Sequence, residues 1–586
     1  MNKTSYLFIS AIIFSILVSS CAKQSSPMGG PKDETPPKLL ESDPKSESTN
    51  IKPSEINLVF SEFIKLDNPT KQIIITPKIN GDEVEFLATR NRVNIKLNQE
   101  LEESTTYVFN FQKSIQDITE SNPTENLRLV FSTGNEIDSL RFSGRVDYIF
   151  PDRNKDFKDI LIGLYNLEDT TDLFTDLPYY ISQVDTAGRF LITNIKAGKY
   201  RAYAWHDDNN SLKAEFRNEA YGFLPDPVNI QQDVSDVHIN LFRGDLSELK
   251  INRSGPSGNN FDVIISKPIS DYEIIHPDKN EKLFSRLSDK NLRLYHTEMR
   301  DDSTQVQIIL KDSVGFTVDT TLYAHFETSD RKKEELEITS NSGKSFLRNL
   351  KAELTFNKPL LKINYDSLFV KYDTAGIIPI TEENLHLPDS AKRTKLLINI
   401  TVPDTIKHET FTVFAADSTF QDVQNIWNKN KLEANYKKLK QESLADGITG
   451  TVDTEERPII VQLLNKKEEI LQEIYLQETN SFEFTFIEAG DYKLRAIIDR
   501  NKNKRWDPGN YEENRQPEPV YYFIDEETRK DEFLLRGGWT LNNIIIKPKR
   551  DSGIYMPSPE DDLPPIEEQA VEKNETPVDK APKTDQ

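Results

Sequence analysis

Along this chain the hydrophobic residues alternate with polar ones over short runs. Ile56-Asn57-Leu58-Val59-Phe60-Ser61-Glu62-Phe63, Val93-Asn94-Ile95-Lys96-Leu97, Thr105 to Phe111 and Leu129 to Gly134 largely set one apolar residue against one polar neighbour. This is the period-two pattern of a strand with one packed and one wet face. Asn, Asp, Gly and Pro separate the runs, and the rhythm continues through Phe142 to Val146, Gly188 to Ala204, Asn260 to Ile265, Val306 to Leu310, Leu396 to Ile400 and Thr410 to Phe414. The pattern predicts an all-β chain of sandwiches in series. Two stretches break it. Between Asn428 and Leu444, Ala434, Tyr436 and the surrounding Lys, Glu and Leu residues have helical propensity and no turn signal, which predicts a short helical linker. After Arg550, six prolines, ten acidic and three basic residues leave little to bury, which predicts a disordered acidic tail.

One segment recurs. Adding 292 carries Ile195, Ala197, Gly198, Tyr200, Ala204, Asp207, Asn209, Pro225, Pro227 and Val228 onto Ile487, Ala489, Gly490, Tyr492, Ala496, Asp499, Asn501, Pro517, Pro519 and Val520 without a gap. The opening strand recurs as Thr449-Gly450-Thr451-Val452. So long a spacing marks a duplicated domain rather than a solenoid, whose period is about 20–50 residues.

Composition adds limits. The chain has 586 residues, 36% hydrophobic and 29% charged, with a formal charge of -23. Those proportions exclude a polytopic membrane protein, and the acidic balance argues against wrapping a nucleic-acid backbone. Proteins, glycans or cations are the expected partners. The single cysteine, Cys21, excludes an intrachain disulfide and closes an amino-terminal pattern: Met1-Asn2-Lys3, an apolar run from Tyr6 to Val18, then Val18-Ser19-Ser20-Cys21. The pattern resembles a bacterial lipobox, against the alternative of an ordinary secretory signal that happens to end at cysteine. The resemblance implies a signal peptide over 1–20, acyl chains on Cys21 and, with Ala22 following, delivery to the outer membrane. Residues 21–36, rich in Gly, Pro and Ser, read as a tether. Their Gly-Gly-Pro-Lys-Asp segment resembles the start of many Bacteroidetes lipoproteins. Whether the domains face the periplasm or the cell surface stays open.

The first unit, 37–134, has Pro-Pro at its start, a Phe-Ser-Glu strand, a Leu…Thr-Thr-Tyr strand, Asp117 and a closing Phe-Ser-Thr-Gly. It resembles the bacterial Ig-like domains first described in S-layer proteins. The strand, Gly turn, strand motif of 139–243 and its copy at 447–549 resemble prealbumin-like sandwiches related to carboxypeptidase regulatory domains. A further sandwich is expected at 246–343. A degenerate Ig-like one is expected at 346–427, with Phe356-Asn357-Lys358 standing where Phe60-Ser61-Glu62 stands. The linker then covers 428–446 and the tail 550–586.

Candidate chemistry is sparse. The seven histidines include no HExxH or close pair, and no GxSxG elbow or P-loop occurs. In the loop Asp499-Arg500-Asn501-Lys502-Asn503-Lys504-Arg505-Trp506-Asp507, the oxygens of Asp499, Asn501, Asn503 and Asp507 are spaced as in a calcium loop. Lys504 replaces the glycine of its sixth position, and the alternative is a turn capped by Asp and Asn. Tyr203, Trp205, Trp506, Tyr521 and Tyr522 would form a glycan-stacking platform if exposed, or core if not. The expectation is a non-enzymatic, outer-membrane-anchored lipoprotein, a spacer and protein-interaction subunit of an envelope complex for outer-membrane protein assembly, export or uptake. The alternatives are a calcium-stabilised adhesin or glycan-binding module and, further off, a hydrolase built from separate loops.

Overall fold

The alternating runs become strands wherever one face finds a core. The computed structural model describes residues 33–79, 81–151, 157–299, 302–390, 392–440 and 444–555, which divide into two compact units, 33–139 and 140–555. The calls on the signal peptide, Cys21 and the body of the tail fall outside the described residues.

In the first unit, a four-stranded sheet built on Glu55–Phe60 and Arg92–Leu97 faces a three-stranded sheet of Ile74–Thr76, Thr106–Asn110 and Arg128–Ser132. The alternate residues Ile56, Leu58, Phe60, Val93, Ile95 and Leu97 point into one core with Tyr107, Phe109 and Phe131. Asp117 ends a short strand, and its carboxylate accepts the backbone amides of Glu120 (2.6 Å), Ser121 (3.0 Å) and Asn122 (2.9 Å). Burial opposes ionisation there, but these amides hold its carboxyl below the ordinary range. The domain reaches back into the expected tether, since Asn122 Nδ2 donates to the Asp33 carbonyl at 2.9 Å.

The second unit holds four sandwiches. The two repeats share one plan: a sheet whose first strand (Leu140–Tyr148; Gly447–Val452) pairs antiparallel with one neighbour and parallel with the last strand of the domain (Val234–Leu241; Thr540–Ile546), over a second, antiparallel sheet. In both copies a bulge interrupts the parallel pair, with Asp236 and Asn543 at φ near 60°. Opposite each bulge stands a glycine. A Cβ on Gly144 would lie 2.0 Å from the Val237 carbonyl oxygen, and one on Gly450 2.4 Å from that of Ile544. The ungapped match holds through Lys504 and then slips: strand register sets Val520 where Tyr221 stands, seven residues beyond the position that the 292 spacing assigns.

Between the repeats lie two more sandwiches. The third packs around Val263, Leu292, Val306 and Ile308, and the fourth around Leu354, Ile398, Phe411 and Val413. The fourth is wider than expected. It takes Ile338–Ser340 at its start, and the predicted helical linker is in fact strand Leu432–Lys438, paired with Thr410–Ala415. Ala434 and Tyr436 are buried between the exposed Glu433, Asn435 and Lys437, so packing overrides helical propensity. Asp422 ends a strand as Asp117 does, and Lys358, in the Phe-Asn-Lys segment, forms a buried ion pair with it. The third sandwich buries a similar pair, Lys267–Asp312, at 2.5 Å.

The first residues assigned to the tail are ordered. Gly553–Ile554 adds as an antiparallel edge strand to Val234–Leu241 of the first repeat. Arg550 pairs with Asp236 at 2.8 Å, and Asn240 binds both Ser552 Oγ and the Arg550 carbonyl. The end of the second repeat is thereby fastened to the first.

Because the glycine faces a backbone oxygen rather than a movable side chain, Gly144→Ala is expected to cost about 3 kcal/mol. Thermal melting of the full chain checks this: the transition of the repeats moves down in Gly144→Ala, while Gly255→Ala, where nothing lies within 4 Å, shifts it far less.

Candidate functional site

Two features of the second unit bring together residues singled out in the sequence: a matched pair of acidic loops and the joint on which the repeats meet. The loops follow the long strands Gly198–His206 and Gly490–Ile498. Each opens on a buried aspartate whose two oxygens accept amides four and five residues on. Asp207 takes Ser211 N (2.8 Å) and Leu212 N (2.9 Å), and Asp499 takes Asn503 N (3.0 Å) and Lys504 N (2.9 Å). That curl puts Asn210, Leu212, Lys502 and Lys504 at positive φ, so Lys504 adopts the left-handed conformation that glycine would favour.

A second buried carboxylate clamps each loop from behind. Glu219 accepts Asp208 N (2.9 Å) and Glu215 N (2.8 Å), while Glu518 accepts Asn501 N (3.4 Å) and Asp507 N (3.0 Å). Both are pushed up to about 7, first by burial, with the amides opposing and neighbouring acids adding. Neither glutamate was expected from sequence, because the slip in the repeat sets them seven residues out of register.

The structure does gather Asp499, Asn501, Asn503 and Asp507. Tyr475 donates to Asp499 Oδ2 at 2.9 Å, Asn501 Nδ2 donates to Asp507 Oδ2 at 2.6 Å, and Asn503 Nδ2 donates to the same oxygen. The carboxylates are thus satisfied by the chain's own donors, the geometry of a capped turn. Among the described residues no group of three or more His, Cys, Asp or Glu is placed to hold a metal.

The aromatic candidates have a different place from a glycan platform. In the first repeat Ile160, Ile162 and Leu164 face that domain's own core, whereas Leu161 and Tyr165 point the other way and are buried too. In the second repeat Ile459, Val461 and Leu463 face inward, and Ile460 is buried on the opposite side. The outer faces of the two sheets cover one another, joining Tyr203, Trp205, Tyr221 and Phe223 to Ile497, Val520, Trp506 and Tyr511. Tyr203 and Trp205 are therefore buried in the joint and Tyr521 in the second repeat's core, so no exposed stacking row exists among them.

Tyr511, not singled out in the sequence, is the centre of this joint. Its ring meets Phe174, Tyr203 and Phe223 edge-on at 5.2, 5.6 and 5.9 Å, and its hydroxyl donates to Asp172 at 3.1 Å. On either side, Asn514 donates to the Pro225 carbonyl (2.8 Å) and Gln516 to that of Phe223 (3.0 Å). Arg515 reaches the third sandwich, donating to the Val314 carbonyl, and Val314 and Phe316 pack into the same cluster.

These features define a modular all-β chain in which buried acids and aromatics organise loops and interdomain contacts. Residues 33–133 match the bacterial Ig-like domain family, so the first unit is a bacterial Ig-like domain. No curated protein matches the chain. Among solved structures, it is similar to the Bacillus anthracis TIE protein, at 10% identity over 94% of this chain and 79% of that one, with a TM-score of 0.12. It is also similar to the Bacillus cereus major pilin subunit BcpA, at 11% over 71% and 99%, TM-score 0.12. A third is the Bacteroides ovatus SGBP-B of a mixed-linkage glucan utilization locus, at 10% over 57% and 83%, TM-score 0.15. Values this low carry nothing about function.

Tyr511→Ala is expected to cost about 3–5 kcal/mol, and Tyr511→Phe, which keeps the ring, about 1 kcal/mol. Melting curves of the two variants should rank in that order below wild type.

The loop glutamates supply a pH signature. With a pKa of about 7 when folded and near 4.5 when unfolded, each holds more protons in the folded state between those values, so it subtracts stability as pH rises from about 4.5 to 7. Glu518→Gln removes that loss whatever its pH-independent cost. The melting temperature of the variant minus that of wild type should therefore rise by about 4 °C from pH 5 to pH 8, and a flat difference contradicts the assignment.

Proposed function

We propose that this chain is a non-enzymatic lipoprotein of the outer membrane, acylated at Cys21, that serves as spacer and protein-interaction subunit of an envelope complex. The observation that carries the reading is how the buried acids are used. Asp117, Asp207, Asp312, Asp422 and Asp499 each accept backbone amides of a turn, so they hold loops rather than standing free for acid–base work. The Val18-Ser19-Ser20-Cys21 pattern supplies the anchor, and acyl chains, at about 0.8 kcal/mol per buried CH₂, would hold it there. Among the described residues no helix is long and apolar enough to cross a membrane.

The interaction surface is an edge. In the first repeat the last strand is capped by Gly553–Ile554, whereas its counterpart Thr540–Ile546 pairs on one side only among the described residues. That free edge, with Ile545 half exposed beside it, accepts an extended segment of a partner protein by strand addition.

Two measurements on growing cells test the reading together. Labelled palmitate should enter the wild-type chain and not Cys21→Ala, which moves to the soluble fraction. Affinity capture from detergent-solubilised envelopes should return an envelope protein in near-stoichiometric amount. An unlabelled wild type removes the anchor, and capture of the chain alone removes the subunit role.

A further inference from the structure

Where the third and fourth sandwiches meet, a cavity of about 170 Å³ opens between the strand Asp271–Ile275, the turn before Leu283–Ser288 and the segment around Asp389 and Lys392. That is room for several waters and for a sugar-sized ring. Its apolar lining is Ile274 and Leu283. Its polar lining is Tyr272, Lys279, Asn280, Ser285, Asp389 and Lys392.

The charges here run against the chain's balance of -23: two ammonium groups line the cavity against one carboxylate. Lys392 is partly engaged, 3.5 Å from Asp389 and 4.8 Å from the centre of the Tyr272 ring. The side chains of Lys279 and Asn280 have no ion pair or hydrogen bond among the described residues. Other half-buried lysines of this unit are engaged, Lys282 by Glu298, Lys213 by the Thr175 carbonyl and Lys438 by the Ile406 carbonyl. Tyr272 and Ser285 hold their hydroxyls 3.2 Å apart, and burial raises the Tyr272 phenol, which keeps it a proton donor.

We propose that this cavity is a binding site for a single acidic sugar, a uronate or a sugar phosphate. Its oxyanion lies between Lys279 and Lys392, its hydroxyls meet Asn280, Ser285 and Tyr272, and its C–H face rests on Ile274 and Leu283. An apolar floor with a few convergent polar groups is the usual build of a small-molecule site. The ammonium groups give preference for a charged ligand over its neutral parent. The site is separate from the strand edge above, so either can fail without the other.

Calorimetric titration of the full chain tests it with four probes: glucuronate, glucose 6-phosphate, glucose and inorganic phosphate. One acidic sugar, or both, should bind with a Kd of about 1 mM or tighter. Glucose and inorganic phosphate should bind at least tenfold more weakly. Lys279→Ala and Lys392→Ala, both at partly exposed positions, should each weaken binding at least tenfold without moving the melting midpoint. Glucuronate binding assigns the uronate, and glucose 6-phosphate binding the sugar phosphate. No saturable heat from either acidic sugar overturns the proposal. So does phosphate binding as tightly as the sugars, which would leave a bare anion site, or affinity that survives both substitutions.

Discussion

Burial of both faces of one sheet in each repeat is the constraint on which the second unit depends. A sandwich sheet ordinarily keeps one face wet, and its strands then alternate. Here Ile160–Asn166 and Ile459–Asn465 are buried along almost their whole length, because each repeat presents its outer face to the other. Tyr511 fills the space between them, and Arg515 from the same loop carries the contact on to Val314 of the third sandwich. The C-terminal strand makes a second fastening on a different edge of the first repeat. Duplication followed by this packing turns two domains separated by two hundred residues of chain into one body.

The acidic composition is partly spent inside. A carboxylate that accepts two or three amides fixes a turn that would otherwise leave N–H groups unpaired, and such amides offset the cost of burying the charge. Asp312 shows the economy of the arrangement: one oxygen accepts Val314 N, Gly315 N and Phe316 N while Lys267 pairs with the other. The same turn delivers Val314 and Phe316 to the joint. Breaking such a buried pair by removing one partner typically costs about 3–5 kcal/mol, although the intact pair adds little net stability.

Much of the fold was legible because period-two alternation survives wherever one face is wet, as in Glu55–Phe60 or Asn349–Phe356. Over Leu432–Lys438 the local preference of Ala, Glu and Lys for helix competes with the alternation of Ala434 and Tyr436 with the polar Glu433, Asn435 and Lys437, which fits a strand. Gly553–Ile554 is too short to leave a pattern. The joint did leave a signal: Ile160 to Tyr165 and Ile459 to Leu464 are nearly unbroken apolar runs, the mark of strands buried on both sides. What the sequence could not show is which surface covers them, so aromatics that pack across the joint also fitted an exposed platform. The calcium-like spacing likewise specified a curl of the backbone without specifying what fills it.

The joint is tested most directly by hydrogen exchange of the full chain, read by mass spectrometry over 508–516 and 172–176. Asn510 and Arg515 exchange backbone hydrogen bonds within the loop, and Tyr511 seats it on Asp172. If the repeats are locked face to face, amides of both segments exchange as slowly as those of Ile160–Asn166 and Ile459–Asn465, and all four open together. Exchange of 508–516 at the rate of a free peptide, with the two strands still protected, would contradict a joint built on Tyr511.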